Sequence, residues 1–374
     1  MLKGLRGAVA LAVVGGGLFT AAGSALAAFV QTNLVSDIAG LAQLTDPNLK
    51  NPWGVSFSAT SPFWISDQAT NLTALYRITN GVVSQVTPPS PVAIPTSAAP
   101  QGPTGQVNNN TTAFIVNTTP ANFIFANLNG TISAWNGSAG TTAVVRATTP
   151  GAVYTGLAIS NGAGGPLLYA ANGAQGRIDV FNGSFAPVSL PGGFTDPNLP
   201  AGLAPFNVQN IGGQIYVTYA PAARPAQVGA TAGQGVVDVY DLNGNLLQRL
   251  ISGSQLASPW GLTIAPASFG QFGGDLLVGN FSFVDGGINA FNPVTGAFLG
   301  SIPITEGANS PGGLWALVFG NGASGSAGTL YFTSGINGEV DGLFGAIAFV
   351  PEPATLALFG LGLGGLGFVR RKQG

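Results

Sequence analysis

The 374-residue chain carries 11 basic and 13 acidic residues, a net charge of -2, and is 46% hydrophobic but only 6% charged, without a single cysteine or histidine. Charge-driven disorder is excluded, as are disulfides, thiolate metal sites, thiol catalysis, a Ser-His nucleophile pair and imidazole-bound metal. The 58 glycines and 26 prolines follow no three-residue period, which excludes collagen and implies many tight turns, the profile of an all-β chain.

In chain order, the first segment reads as an N-terminal signal peptide over 1–27. Lys3 and Arg6 form a positive start, residues 7–20 an apolar stretch too short for a bilayer span, and Ala25-Leu26-Ala27 a small-x-small cleavage site. The mature chain is expected to begin near Ala28.

The body, 28–349, repeats. "NPWGVSFSATSPFWISDQATNLTALYRITNG" (51–81), "YTGLAISNGAGGPLLYAANGAQGRIDVFNG" (154–183) and "SPWGLTIAPASFGQFGGDLLVGNFSFVDGGINAFNPVTG" (258–296) share an order of motifs. Each has an apolar opening beside glycine, a strand ending in a small residue and then Asp or Asn, and a strand ending in an aromatic before a turn. Looser copies occur at 112–137, 205–244 and 313–349. Taking Trp53, Thr112, Gly156, Phe206, Gly261 and Leu314 as phase marks gives steps of 59, 44, 50, 55 and 53, the size of a four-stranded propeller blade. "TDPNL" at 45–49 recurs at 195–199, three such blades later. The spacing predicts a six-bladed β-propeller in which the strand-like "FVQTNLVS" (29–36) completes the sixth blade beside residues 343–349. The pattern resembles NHL-type propellers, with "LLYAANGAQGRIDVFN" the nearest local match.

Asp67, Asn127, Asn172 and Asn280 each follow a small residue at the end of the same repeated strand. Two readings stand. As turn formers, their side chains bond the following backbone; as a ring at one mouth of a central channel, they are candidate calcium ligands. In six-bladed lactonases such as gluconolactonase, whose pattern includes a Glu early in the chain, a central divalent ion held by Glu, Asn and Asp activates water or polarises a carbonyl. This column contains one acid, and the first glutamate is Glu306. Asp179 and Asp238 occupy matching strands, and Asp275, Asp285 and Asp341 lie by glycines in turns; none forms a catalytic pair. Trp53, Trp260 and Trp315 open units and read as core, whereas Trp64 and Trp135 would stack on a sugar if exposed. The Pro/Gly/Ala-rich stretches 87–111 and 220–235 read as irregular loops suited to ligand contact.

Between 28 and 350 there are six basic residues, Lys50, Arg77, Arg146, Arg177, Arg224 and Arg249, against twelve acidic ones. No nucleic-acid partner is expected.

The last segment, 350–374, has three parts. Val350-Pro351-Glu352-Pro353 precedes Ala354–Val369, sixteen uncharged residues that would make a single hydrophobic helix about 24 Å long. Arg370, Arg371 and Lys372 follow, and basic residues hold a translocating chain at the cytoplasmic side. This order resembles the PEP-CTERM sorting signal of Gram-negative bacteria. The resemblance implies a membrane-anchored precursor, cleavage near Pro-Glu-Pro by a membrane-embedded exosortase after signal peptidase has acted, and delivery to the cell surface or exopolysaccharide matrix. Propeller and tail together resemble an uncharacterised family of exported PEP-CTERM propeller proteins. The expected role is a binding or structural module for polysaccharide or a surface protein, without a cofactor; a calcium-dependent lactonase-like hydrolase is the alternative. Mass spectrometry of the native protein should find a chain starting near Ala28 and ending near Pro351–Pro353; an intact Arg370-Arg371-Lys372 terminus would make the tail a permanent anchor.

Overall fold

The computed structural model describes residues 28–96, 102–253 and 255–351. The signal peptide, the helix Ala354–Val369 with Glu352 and Pro353, and the cluster Arg370, Arg371 and Lys372 lie outside the described residues. The described chain is all-β: six mainly antiparallel blade sheets form a six-bladed β-propeller, with one further two-stranded sheet, Ile115–Val116 and Thr119–Pro120.

The six innermost strands are Pro52–Ser56, Pro103–Asn108, Tyr154–Gly162, Leu203–Ile211, Pro259–Ile264 and Gly313–Phe319. Each is followed outward by antiparallel neighbours of its own blade. In blade 1 these are Phe63–Asp67, Leu72–Thr79 and Val82–Gln85. Blade 6 is composite: Gly313–Phe319, Thr329–Ile336 and Asp341–Val350 come from the end of the body, and Ala28–Ser36, with the short parallel strand Leu44–Thr45 at the edge, from its beginning.

The second blade corrects the sequence reading. Its innermost strand is Pro103–Asn108, inside the stretch 87–111 read above as irregular, so Thr112 does not mark the blade. The segment 220–235 likewise contains the end of a strand, Gln214–Pro221, and a short helix, Arg224–Val228. "PTGQVN" gives little apolar signal because its buried side chains are Pro103, Thr104 and Gln106. Gln106 is satisfied there: its amide nitrogen donates to the carbonyls of Gly54 and Trp64 and to Ser66 Oγ at 2.8, 3.0 and 3.0 Å, which removes the penalty for burying an amide.

With this strand placed, one pattern recurs six times. Every innermost strand slips register against its neighbour near one dipeptide: Trp53-Gly54, Thr104-Gly105, Thr155-Gly156, Phe206-Asn207, Trp260-Gly261 or Trp315-Ala316. Such bulges bend a strand and re-aim its side chains. At four of the six, the second residue is glycine because the next blade leaves no room for a Cβ. One built on Gly105 would strike Leu157 N and Gly156, and one on Gly261 would strike the Trp315 carbonyl. In blade 4 the Asn207 amide takes that space and donates to the Trp260 carbonyl at 2.8 Å.

The seam between blades 6 and 1 is tied on both faces. Lys50 Nζ pairs with Asp37 at 2.5 Å and Asp341 at 3.2 Å, joining the two strands that come from opposite ends of the body. The 320–328 loop reaches blade 1, where Asn321 donates to the Ser58 and Ser61 carbonyls at 2.8 and 3.0 Å and Gly325 N to the Ile78 carbonyl at 2.9 Å. Thr333 Oγ1 donates to the Trp53 carbonyl at 2.6 Å deeper in the same seam.

Gly105→Ala should destabilise the fold by about 1–3 kcal/mol, because backbone atoms must move. Gly137→Ala, where nothing lies within 4 Å, should change it by less than about 0.5 kcal/mol. Equal denaturation midpoints for the two variants would contradict the close-approach account.

Candidate functional site: the axis of the propeller

The first residue of each bulge dipeptide faces the axis region, and four of the six are aromatic: Trp53, Phe206, Trp260 and Trp315. All are buried. Trp53 and Trp315 stack with centroids 3.5 Å apart, Trp260 meets Trp53 and Trp315 edge-on at 6.2 and 5.6 Å, and Phe206 lies 5.8 Å from Trp315. Phe281 stacks on Trp315 at 4.3 Å. The edge-on pairs of Trp260 with Trp53 and Trp315 each add about 0.5–1.5 kcal/mol beyond burial. Two of the three indole N–H groups are placed, Trp260 Nε1 donating to the Thr155 carbonyl at 2.9 Å and Trp315 Nε1 to Asn51 Oδ1 at 3.1 Å, while Trp53 Nε1 is buried without a partner among the described residues. The three tryptophans are core, as their position in the repeat suggests, but they pack on one another across blades 1, 5 and 6 and plug the channel.

Over this plug lies Arg224, from the short helix in the 221–235 connection. Its guanidinium sits 4.4 Å from the Phe281 ring, 5.6 Å from Trp315 and 5.9 Å from Trp53, and it pairs with Glu339. Burial pulls its pKa down to about 10, so it remains a cation at neutral pH and its contact with the ring faces is cation–π.

On the other side of the plug is a cavity of about 380 Å³ lined by the innermost strands of all six blades. Its floor is buried: Gly54, Gly105, Asn207 and Trp260. Toward the strand ends its lining becomes half-buried, at Phe57, Asn108, Ile159, Gln209 and Val318, so it opens there. Among the described residues no ionisable side chain lines it; its polar groups are Ser56, Gln106, Asn108, Asn207, Gln209 and Asn210. Most of these are engaged. Asn210 donates to the Ile159 carbonyl at 2.9 Å, Asn108 to that of Asn122 at 2.9 Å, and Ser56 Oγ to Gln106 Oε1 at 3.0 Å. Among the described residues, no hydrogen bond uses the Gln209 amide.

Asp67, Asn127, Asn172 and Asn280 do end the second strands of blades 1, 2, 3 and 5, and all are buried. None of the four lines the axial cavity. Asn127 Nδ2 donates to Thr131 Oγ1 at 3.0 Å, Asn172 Nδ2 to Asp179 at 2.8 Å, and Asn280 Nδ2 to the Gln255 and Asp285 carbonyls at 2.8 and 3.2 Å. Each amide is thus held by its own hairpin or the adjoining loop. Burial pushes the Asp67 carboxyl well above its usual range, with the Asp46 charge adding to the shift. The amide nitrogens are engaged separately, whereas both Asp67 carboxyl oxygens, Asn127 Oδ1 and Asn280 Oδ1 are buried and accept no hydrogen bond from the described residues; among the described residues no three acids gather.

Trp64 and Trp135 are also buried. Trp64 stacks on Phe123 at 4.1 Å and meets Trp135 at 4.7 Å, between blades 1 and 2. They are core side chains, and the sugar-stacking expectation is corrected. Asp179 accepts from Tyr154 at 2.9 Å and pairs with Arg177 at 2.6 Å. Asp238 is fully buried beside Tyr240, whose hydroxyl donates to it at 3.1 Å. Burial pushes the Asp238 carboxyl up to about 7, and the charge of Asp196 adds to the shift.

Residues 349–372 match the PEP-CTERM protein-sorting motif. The uncharacterized protein R648 of Acanthamoeba polyphaga mimivirus is 30% identical over 336 residues, which cover 84% of this chain and 78% of that protein. Virginiamycin B lyase from Staphylococcus aureus is similar in structure, with a TM-score of 0.50 and 12% identity over 86% of this chain and 100% of that one. A structural genomics protein of unknown function from Bacteroides thetaiotaomicron also has a TM-score of 0.50, with 11% identity over 86% of this chain and 76% of that one. At such identities the two structures speak to the propeller fold alone.

The Asp238 shift has a defined sign. The folded state keeps a proton that the unfolded chain releases above about pH 3.9, so this group's contribution is fully present below about pH 4 and is lost as pH rises toward 7. Asp238→Asn should therefore gain melting temperature over the parent by about 2–5 °C at pH 8 and show little gain near pH 4. A gain independent of pH would contradict the assignment.

Proposed function

The chain belongs to the same family as the mimivirus protein R648, and from that premise we propose that it is an exported propeller whose axial cavity binds a neutral, hydroxyl-rich ligand such as a polysaccharide segment. The sorting motif implies an exosortase-processed, membrane-anchored extracellular protein; the cell surface or the exopolysaccharide matrix is the destination proposed here.

One observation carries the reading: a cavity open at one end, lined by amides, a hydroxyl and apolar side chains from six strands, with no ionisable side chain in its wall. Amide and carbonyl groups exchange hydrogen bonds with hydroxyls in either direction, while Leu157, Ile159 and Leu317 offer apolar surface to ring faces. Fixed polar groups in an otherwise apolar concavity are the usual make-up of a ligand site. A group poised for acid–base catalysis is not among the lining residues, so the wall is suited to holding a ligand rather than transforming it.

Titration calorimetry with a panel of neutral oligosaccharides should find a binder, and Gln209→Ala should weaken it about tenfold, the loss of one well-made hydrogen bond. The same panel should include lactones with calcium. Turnover of a lactone, or binding indifferent to Gln209→Ala, would displace the proposed role.

A further inference from the structure

The connection between blades 5 and 6 carries a second concave surface, remote in character from the axial cavity. Two spaces of about 350 and 560 Å³ share the lining residues Thr305, Glu306 and Gly307. Among the described residues, Glu306 is the one ionisable side chain in either wall. Its Oε1 accepts from Ser334 Oγ at 2.6 Å, and among the described residues no hydrogen bond or ion pair reaches Oε2. Gly312 makes the arrangement possible, since a Cβ there would collide with the carboxyl. On one side the walls are Phe283 and Leu314, on the other Leu41 and Ala42. Burial raises the Glu306 pKa, only the Ser334 bond opposing it.

We propose that this groove binds an organic ammonium group, with Glu306 as its counter-ion and the apolar walls against the carbon body. A carboxylate with a free oxygen and no cation of its own protein gains most from a ligand that brings both charge and N–H donors. A neutral hydroxyl would supply only the weaker, uncharged bond. The body of the chain carries six basic residues against twelve acidic ones, so its field also favours a cation over an anion.

Calorimetric titration of the full protein with glucosamine and with butylammonium should show binding of at least one of them. N-acetylglucosamine, which lacks the charge, should bind at least tenfold more weakly than glucosamine. Glu306→Gln keeps the Ser334 partner and should lower amine affinity at least tenfold without loss of melting temperature; if that variant fails to fold, Ala42→Trp, which fills the larger space, should do the same. Affinity should fall as pH is lowered through the Glu306 pKa, because the protonated carboxyl loses its charge. Gln209→Ala should leave amine binding intact, so the groove and the axial cavity are tested separately. Binding of neither amine at 100-fold above about 1 mM, equal binding of the acetylated sugar, or amine binding that survives Glu306→Gln would overturn the proposal.

Discussion

The close approach of six innermost strands around one axis is the constraint on which the rest of this molecule depends. Where Gly105 faces Leu157 and Gly261 faces the Trp315 carbonyl, a single methyl group would push blades apart. Bulges at these points do two things at once. They let the strands approach, and they aim the preceding residues, Trp53, Thr104, Thr155, Phe206, Trp260 and Trp315, toward one level of the channel. The aromatic plug follows, and with it the division of the channel into a closed end under Arg224 and an open cavity beyond.

That division explains how a chain with so few charges distributes its chemistry. Arg224, one of six basic residues in the body, sits with Glu339 over the ring faces, where burial makes the pair costly unless both members are present. The cavity below has only neutral polar groups, most already bonded to neighbouring backbone, which fixes their orientation before any ligand arrives. Ring closure follows the same economy: Lys50 joins strands from the two ends of the body, and side-chain amides and hydroxyls do the remaining work.

The blade count was readable from the repeated order of turn, strand and Asp or Asn, because that order is dictated within one blade. The phase of blade 2 was not, because Pro103–Asn108 buries a threonine and a glutamine instead of large apolar residues. Once Thr104 is set beside Trp53, Thr155 and Phe206, the first blades fall at an even spacing that Thr112 had obscured. Relations across blades were harder still. Nothing local tells Trp53 that it will meet Trp315, or that Trp64 faces Phe123 in the next blade rather than solvent. Asp67, Asn127, Asn172 and Asn280 are strand ends, as their place in the repeat implies, and the asparagine Nδ2 groups are held by neighbouring residues of their hairpins or adjoining loops. Glu306 and Gln209 gave no sequence signal, since their significance lies in bonds they do not make.

The central claim is that the open half of the axis is a binding site shaped by six strands. A crystal structure of the protein soaked with a neutral oligosaccharide that binds in solution tests it most directly. Ligand density is expected on the axis, between Gln209 and the strands ending at Ser56 and Asn108, with the tryptophan plug undisturbed. Density confined to an outer blade edge, or an axis left empty by a ligand bound elsewhere, would contradict it.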